Sequence, residues 1–319
     1  MPHNSTMKYL VSKPAYGFDL IFFRRTAGNK NWHHIYRKPY VGAGLHYMNF
    51  GNPTLLGQAV SGYAFIDFYV NRNKNSGFIY HWGEGIAYIT KPFESETNNL
   101  NIAVGSHINV FIDLSFGYIW TLRNGIMLKP SLSFTHYSNG SFKKPNLGIN
   151  IINAKLAINL KTFPTKNNKS DVYAPKKEER KYEFQTFFMA GLHQKDPPMS
   201  PVYEVYSLRG QSNYKFSNKH AVGLGIDIFN DHALNALNGE SQNKITRTGL
   251  FVAYSTLFDN VSFAGQVGYY INDKYNNDGK IYSRFGFSGK VYQGISAGIY
   301  LKTHFFVADN IEFGIGYTF

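Results

Sequence analysis

Three polar residues interrupt an otherwise apolar pattern in this chain. His136 and Ser138 stand two residues apart in SLSFTHYSNG, and Asn150 follows in PNLGINIINAKLAINL. On a β-strand, a spacing of two places both side chains on one face. That face begins with Leu132 and Phe134, whereas Ser131, Ser133, Thr135, Tyr137 and Asn139 belong to the other. Asn150 shares its face with Ile152, Ala154, Leu156, Ile158 and Leu160. A serine beside a histidine is a nucleophile in waiting. Imidazole accepts the hydroxyl proton, and a carboxamide oxygen can hold the other ring nitrogen in one tautomer. Polar groups that face hydrocarbon also need hydrogen bonds simply to be tolerated, so a polar rim accounts for the same trio. His-x-Ser spacing alone leaves both readings open.

The elements that carry these residues are strands. Aromatic residues make up 17% of the 319, glycine is frequent, and no apolar run is long enough for a membrane helix. Two-residue alternation is common, and it is clearest in IEFGIGYTF. There Ile311, Phe313, Ile315, Tyr317 and Phe319 share one face, and Glu312, Gly314, Gly316 and Thr318 the other. The preceding strand alternates Ile295, Ala297, Ile299, Leu301, Thr303 and Phe305 with polar and small residues. One face suits lipid and the other a barrel interior. The expected fold is all-β: a transmembrane antiparallel β-barrel of about 14–16 strands.

Alternation and turn signals place strands near 15–25, 38–49, 55–72, 76–92, 102–121, 124–138 and 147–163. After the polar linker 164–181 come 182–193, 203–216, 218–229, 246–257, 260–272, 281–290, 293–306 and 309–319. Single-chain bacterial barrels have even strand numbers, so a first strand upstream of Met1 is expected. Short turns near 123–125, 217–218 and 258–260 fall on the periplasmic side, and the loops 139–146 and 230–245 fall outside. The 26–37 connection is longer than a periplasmic turn should be. One closed barrel of about sixteen strands, with 1–163 and 182–319 as its halves, is favoured over two small barrels in tandem, because the linker is short.

Composition excludes several classes. There is no cysteine, so disulfides, thiolate metal sites and cysteine nucleophiles are absent. The net charge of +13 is spread through turns with no nucleic-acid motif, and it suits an anionic membrane surface. His33 and His34 in NWHHIY, read as adjacent strand positions, point to opposite faces and make no metal site. No cofactor is expected.

THYSNG followed by PNLGIN resembles the signature of the outer-membrane lipid A 3-O-deacylase family, particularly its larger acyloxyacyl-hydrolase-like relatives. GEGIAYITK and NLNIAVGSHIN are similar to that group too. The resemblance covers roughly residues 8–163, with less in LKTHFFVADNIEFGIGYTF. It implies a membrane barrel in the outer membrane of a Gram-negative bacterium, inserted by the barrel assembly machinery through its aromatic last strand. It also implies an enzyme that cuts an ester-linked acyl chain from lipid A. Ser138 is then the nucleophile, His136 the base and Asn150 its orienting partner, with oxyanion support from Asn139 and Asn146. Lys143 and Lys144, in the outer loop, are candidate contacts to lipid A phosphates. Smaller members carry glutamate where this chain has Asn150. Outer-membrane phospholipase A, which the stretch also resembles, uses asparagine there. The rivals are therefore a phospholipase and, from another class, a non-enzymatic barrel such as a porin or a structural subunit of an envelope complex, in which lumen residues such as Lys302 and His304 matter.

Overall fold

Period-two alternation becomes fifteen strands in the computed structural model, which describes residues 5–71, 76–122, 126–159, 181–195, 197–237, 246–275, 278–305 and 307–319. The first seven are β1 (Tyr16–Arg25), β2 (Tyr40–Asn49), β3 (Gln58–Tyr69), β4 (Ser76–Ile89), β5 (Ile108–Thr121), β6 (Met127–Ser138) and β7 (Ile149–Asn159). Then come β8 (Tyr182–His193), β9 (Tyr203–Lys215), β10 (His220–Asp231), β11 (Thr246–Phe258), β12 (Val261–Asn272), β13 (Ile281–Tyr292), β14 (Ile295–His304) and β15 (Val307–Thr318). Every expected strand has its counterpart, and the all-β antiparallel fold stands. The largest trimming is at β5, because 90–107 is an irregular loop. Asn101 holds it: its amide nitrogen donates to the carbonyls of Lys91 (2.6 Å) and Leu55 (3.1 Å), and its oxygen accepts the Ala103 N–H (2.9 Å). Such local bonds compete with a ladder. The linker 164–181, the 123–125 turn and Leu160 lie outside the described residues, save Lys181 at the linker's end.

Pairing divides the strands into two sets. β1 to β7 form a seven-stranded antiparallel sheet in chain order, and β8 to β15 form a closed eight-stranded barrel in which β15 pairs with β8. This corrects the expectation of one closed barrel shared by both halves. Closure depends on which distant strand meets β8, and alternation within a strand does not encode that. The chain accordingly divides into two compact units, with 140–144 grouping with the second.

In the first unit the sheet curls until inward-facing Asp19 of β1 and Lys155 of β7 are 3.8 Å apart. Its interior is polar and ion-paired. His81 lies between Asp67 (2.5 Å) and Asp113 (3.5 Å), Lys129 pairs with Asp67 and Lys155 with Asp113, each at 2.7 Å. Apolar packing concentrates toward one end, where Met7 and Leu10 of a 3-10 helix (Ser5–Leu10) pack with Phe50, Phe111, Tyr137 and Ile149.

In the second unit Arg284 bonds Asp227 and Glu312, each at 2.7 Å, with all three side chains fully buried. Arg209, Gln266 and Tyr282 also reach Asp227. An eight-stranded barrel is just wide enough for side chains to fill. Lys302 is bound to Asp309 at 2.6 Å, and His304 to the Tyr270 hydroxyl at 2.9 Å. The interior of the closed barrel is packed rather than an aqueous channel, which corrects the porin alternative for this unit.

Outward faces are apolar in both units: Leu132, Ile152 and Leu156 in the first, Leu224, Val252, Phe313 and Ile315 in the second, are exposed. Among the described residues, no helix is long and apolar enough to cross a membrane, a fact that bears on helices alone. Two details differ from simple alternation. The pairing of β14 with β15 shifts register between Lys302 and Thr303, as at a bulge, and Thr303 is buried rather than exposed with the expected stripe. His33 and His34 sit on a one-turn helix, α1 (Asn31–Ile35), not on a strand. Both rings bond the Gly28 backbone. A second short helix, α2 (His232–Leu237), follows β10.

Candidate active site

β6 pairs with β7 so that His136 stands directly opposite Asn150, with Phe134 opposite Ile152 one step further in. Opposed side chains in an antiparallel pair start about 5 Å apart at Cβ, close enough for an imidazole and a carboxamide to meet. They do: His136 Nδ1 lies 2.5 Å from Asn150 Oδ1, and His136 Nε2 lies 2.9 Å from Ser138 Oγ. Asn150 Oδ1 can only accept, so Nδ1 carries the proton in neutral imidazole. Nε2 is left with its lone pair toward the serine hydroxyl. The tautomer follows from the bonding pattern.

Ser138 is buried at 7% exposure, whereas Leu132 and Phe134 below it are exposed. The His136 ring runs nearly parallel to that of Phe134, at an 11° interplanar angle. Between His136 and Ser138, Tyr137 points the other way and is fully buried against Phe50 and Phe111. The two outward polar residues are thus held from behind by an aromatic anchor.

The loop 139–148 shapes the remainder. Asn146 Oδ1 accepts the Asn139 N–H at 3.0 Å, while Asn146 Nδ2 is buried with no hydrogen-bond partner among the described residues. A donor left unused next to the residue that follows Ser138 suits a developing oxyanion. Asn139 is placed differently: its side chain is fully buried and its Nδ2 donates to Ser106 Oγ at 2.9 Å. The two asparagines paired in the sequence reading therefore separate, one with an idle donor and one engaged in the interior.

Gly148 closes the loop at φ +77°, and a Cβ there would stand 3.0 Å from His136 Cε1 and 3.2 Å from the Tyr137 carbonyl. Only glycine lets the backbone pass this close to the imidazole in this conformation. Gly148 N–H donates to the Ala103 carbonyl at 2.8 Å, and Asn109 Nδ2 to the Ser106 carbonyl at 2.8 Å. Ser106 and its neighbours, unassigned from sequence, brace the site loop; their one signal was the NLNIAVGSHIN stretch in which they lie. Lys143 and Lys144 group with the second unit, where Lys143 is exposed and the Lys144 amide donates to Gln194 Oε1 at 2.6 Å.

A family model described as Lipid A 3-O-deacylase (PagL) matches residues 17–159. One described as Acyloxyacyl hydrolase, C-terminal domain, matches residues 180–319. The chain belongs to the lipid A 3-O-deacylase family. As a member of this deacylase family it is a carboxylic ester hydrolase. The first match holds all of β6 and β7, and the second starts just ahead of β8, so the deacylase and C-terminal domain models follow the two strand sets. No curated protein matches the chain. Among solved structures, an engineered variant of the Rh. blastica porin is 11% identical over 96% of this chain and 91% of its own, at a TM-score of 0.20. A deltaS2 mutant of the TodX monoaromatic hydrocarbon channel is 9% identical over 95% and 82%, at 0.19. Scores this low establish no common architecture.

Proposed function

We propose that this deacylase-family chain is an outer-membrane serine esterase of a Gram-negative bacterium that removes an ester-linked acyl chain from lipid A. The observation that carries the reading is the hydrogen-bonded chain Ser138–His136–Asn150 on the face shared with Leu132, Phe134 and Ile152. A lipid ester arriving from the bilayer reaches such a site laterally.

Ser138 Oγ attacks the ester carbonyl as His136 Nε2 takes the hydroxyl proton. Asn146 Nδ2 donates to the carbonyl oxygen as it becomes an oxyanion. Collapse breaks the ester C–O bond, and the imidazolium returns its proton to the departing sugar oxygen. Water then attacks the acyl-serine, again giving a proton to Nε2, and fatty acid leaves as Ser138 is reprotonated. Asn150 keeps Nδ1–H directed throughout. Asn139 acts indirectly, through its backbone bond to Asn146. Lys143 and Lys144 are the proposed contacts to lipid A phosphates, and β15 is the proposed recognition strand for the barrel assembly machinery. The chemistry uses no cofactor.

The test is incubation of the purified protein with lipopolysaccharide and, separately, with phospholipid, scoring free fatty acid by mass spectrometry. Release from lipopolysaccharide that disappears in Ser138→Ala is expected. Release from phospholipid alone would move the enzyme to the phospholipase class, and release undiminished in Ser138→Ala would remove the proposed nucleophile.

A further inference from the structure

Asp19, Asp67 and Asp113 face the interior of the first sheet and are ion-paired there: Asp19 with His46 at 2.8 Å, Asp67 with Lys129 and Asp113 with Lys155, each at 2.7 Å. Glu84 is the remaining acidic residue of β1 to β7, and it is placed otherwise. On β4 the buried residues His81, Gly83 and Ala87 alternate with Trp82, Glu84 and Ile86, so Glu84 belongs to the outward face. No cation pairs with it among the described residues; its hydrogen-bonding neighbour is the indole of Trp82. One indole N–H leaves most of a carboxyl group's acceptor capacity unused. On a face that meets hydrocarbon, such a group is costly unless a further donor arrives.

Strand register ties Glu84 to the Ser138 site. Glu84 pairs with Ile112 of β5, Ile112 with His136 of β6, and His136 with Asn150 of β7. The four residues make one cross-strand row on the outward face. Ser138 stands in the next row, opposite Val110, which in turn pairs with Ile86. Neighbouring strands lie about 4.8 Å apart, so Glu84 is roughly 10 Å along the row from His136. An acylated sugar whose ester lies at Ser138 spans that distance over the half-buried Ile112. In its ester region a glycerophospholipid carries acceptors only, whereas an N-acylated sugar brings amide N–H and hydroxyl groups to the same depth. We propose that Glu84 is a specificity-determining residue that accepts a hydrogen bond from such an N–H or O–H donor, so that the site favours an acylated aminosugar over a glycerophospholipid. This role rests on the reading of Ser138 as the nucleophile of a lipid A esterase.

The full chain in neutral detergent is given four esters with equal chains: a 3-O-acyl-N-acylglucosamine, the same sugar with its amide N-methylated, the same sugar with its free hydroxyls methylated, and a diacylglycerophosphocholine. Fatty acid release is followed in the wild type, Glu84→Leu and Glu84→Gln. Glu84→Leu puts an apolar residue on an apolar face, and circular dichroism checks that it is folded. It is expected to lower kcat/KM on the parent sugar about tenfold or more, and to change that on the phosphocholine by less than about twofold. Glu84→Gln keeps one acceptor oxygen and recovers part of the loss. In the wild type, one of the two methylations reproduces the loss seen in Glu84→Leu and thereby identifies the donor; in Glu84→Leu the same methylation has no further effect. Equal losses on sugar and phosphocholine in Glu84→Leu, or a wild type indifferent to both methylations, overturn the role. If the wild type cleaves none of the esters, the esterase reading fails and the 3-O-alkyl ether of the parent sugar is titrated instead. Binding weakened about tenfold in Glu84→Leu then upholds recognition by Glu84, and binding that is equal in the two proteins, or absent, overturns it.

Discussion

An asparagine opposite His136 accepts the Nδ1 proton but cannot neutralise the imidazolium that forms when Ser138 attacks. Asn150→Asp places a carboxylate within 2.5 Å of that nitrogen and strengthens the bond through charge. We expect kcat to rise by about tenfold, measured on lipopolysaccharide, with KM little changed. Asn150→Leu frees the ring to rotate and lowers kcat by about 10²-fold or more. The idle donor of Asn146 gives a separate expectation. Asn146→Ala lowers kcat by about 10²–10³-fold, whereas a purely structural Asn146 would change thermal stability and leave kcat alone. Much of this residue scale was legible beforehand. His136 and Ser138 could be joined from sequence because a spacing of two puts them on one face, and Asn150 because a hairpin makes its strand their neighbour, on the matching apolar stripe. Asn139 and Asn146 could not be told apart. Their difference lies in loop geometry, where one carboxamide turns to Ser106 and the other to a backbone N–H.

At the scale of elements, the hairpin β6–β7 works because Gly148 lets its loop pass under the imidazole. Gly148→Ala is strained at φ +77° and presses on His136. We expect about a 10²-fold loss of kcat from displacement of the ring, with the β signal in circular dichroism retained. The outward stripes carry their own expectation. Val252 is 58% exposed in mid-strand β11, and Val252→Arg should cost about 2–4 kcal/mol in urea unfolding from bilayers, as a cation at the midplane does. Strands were the easiest elements to read, because a period of two survives any tertiary context that leaves one face in lipid. Helix α1 escaped notice: five residues are too few to show a 3.6 period. The bulge after Lys302 was equally hidden, since one inserted residue leaves no mark on composition.

For the molecule as a whole, the strands divide into a curled seven-stranded sheet and a closed eight-stranded barrel. The Ser138–His136–Asn150 chain lies in the first unit, and the second is filled by buried ion pairs around Asp227 and Glu312. Arg284→Met strands two carboxylates in the interior and should destabilise that barrel by about 3–5 kcal/mol. Planar bilayers holding the intact chain should show no steady conductance through it. The division into two strand sets was not readable from strand patterns, because closure is a non-local choice of partner.

The most direct test of the account is covalent. A lipid-like fluorophosphonate is allowed to react with the purified protein, and the modified peptide is located by mass spectrometry. One adduct is expected, on Ser138, lost in His136→Ala. Fatty acid release from lipopolysaccharide that persists while Ser138 stays unmodified would contradict it.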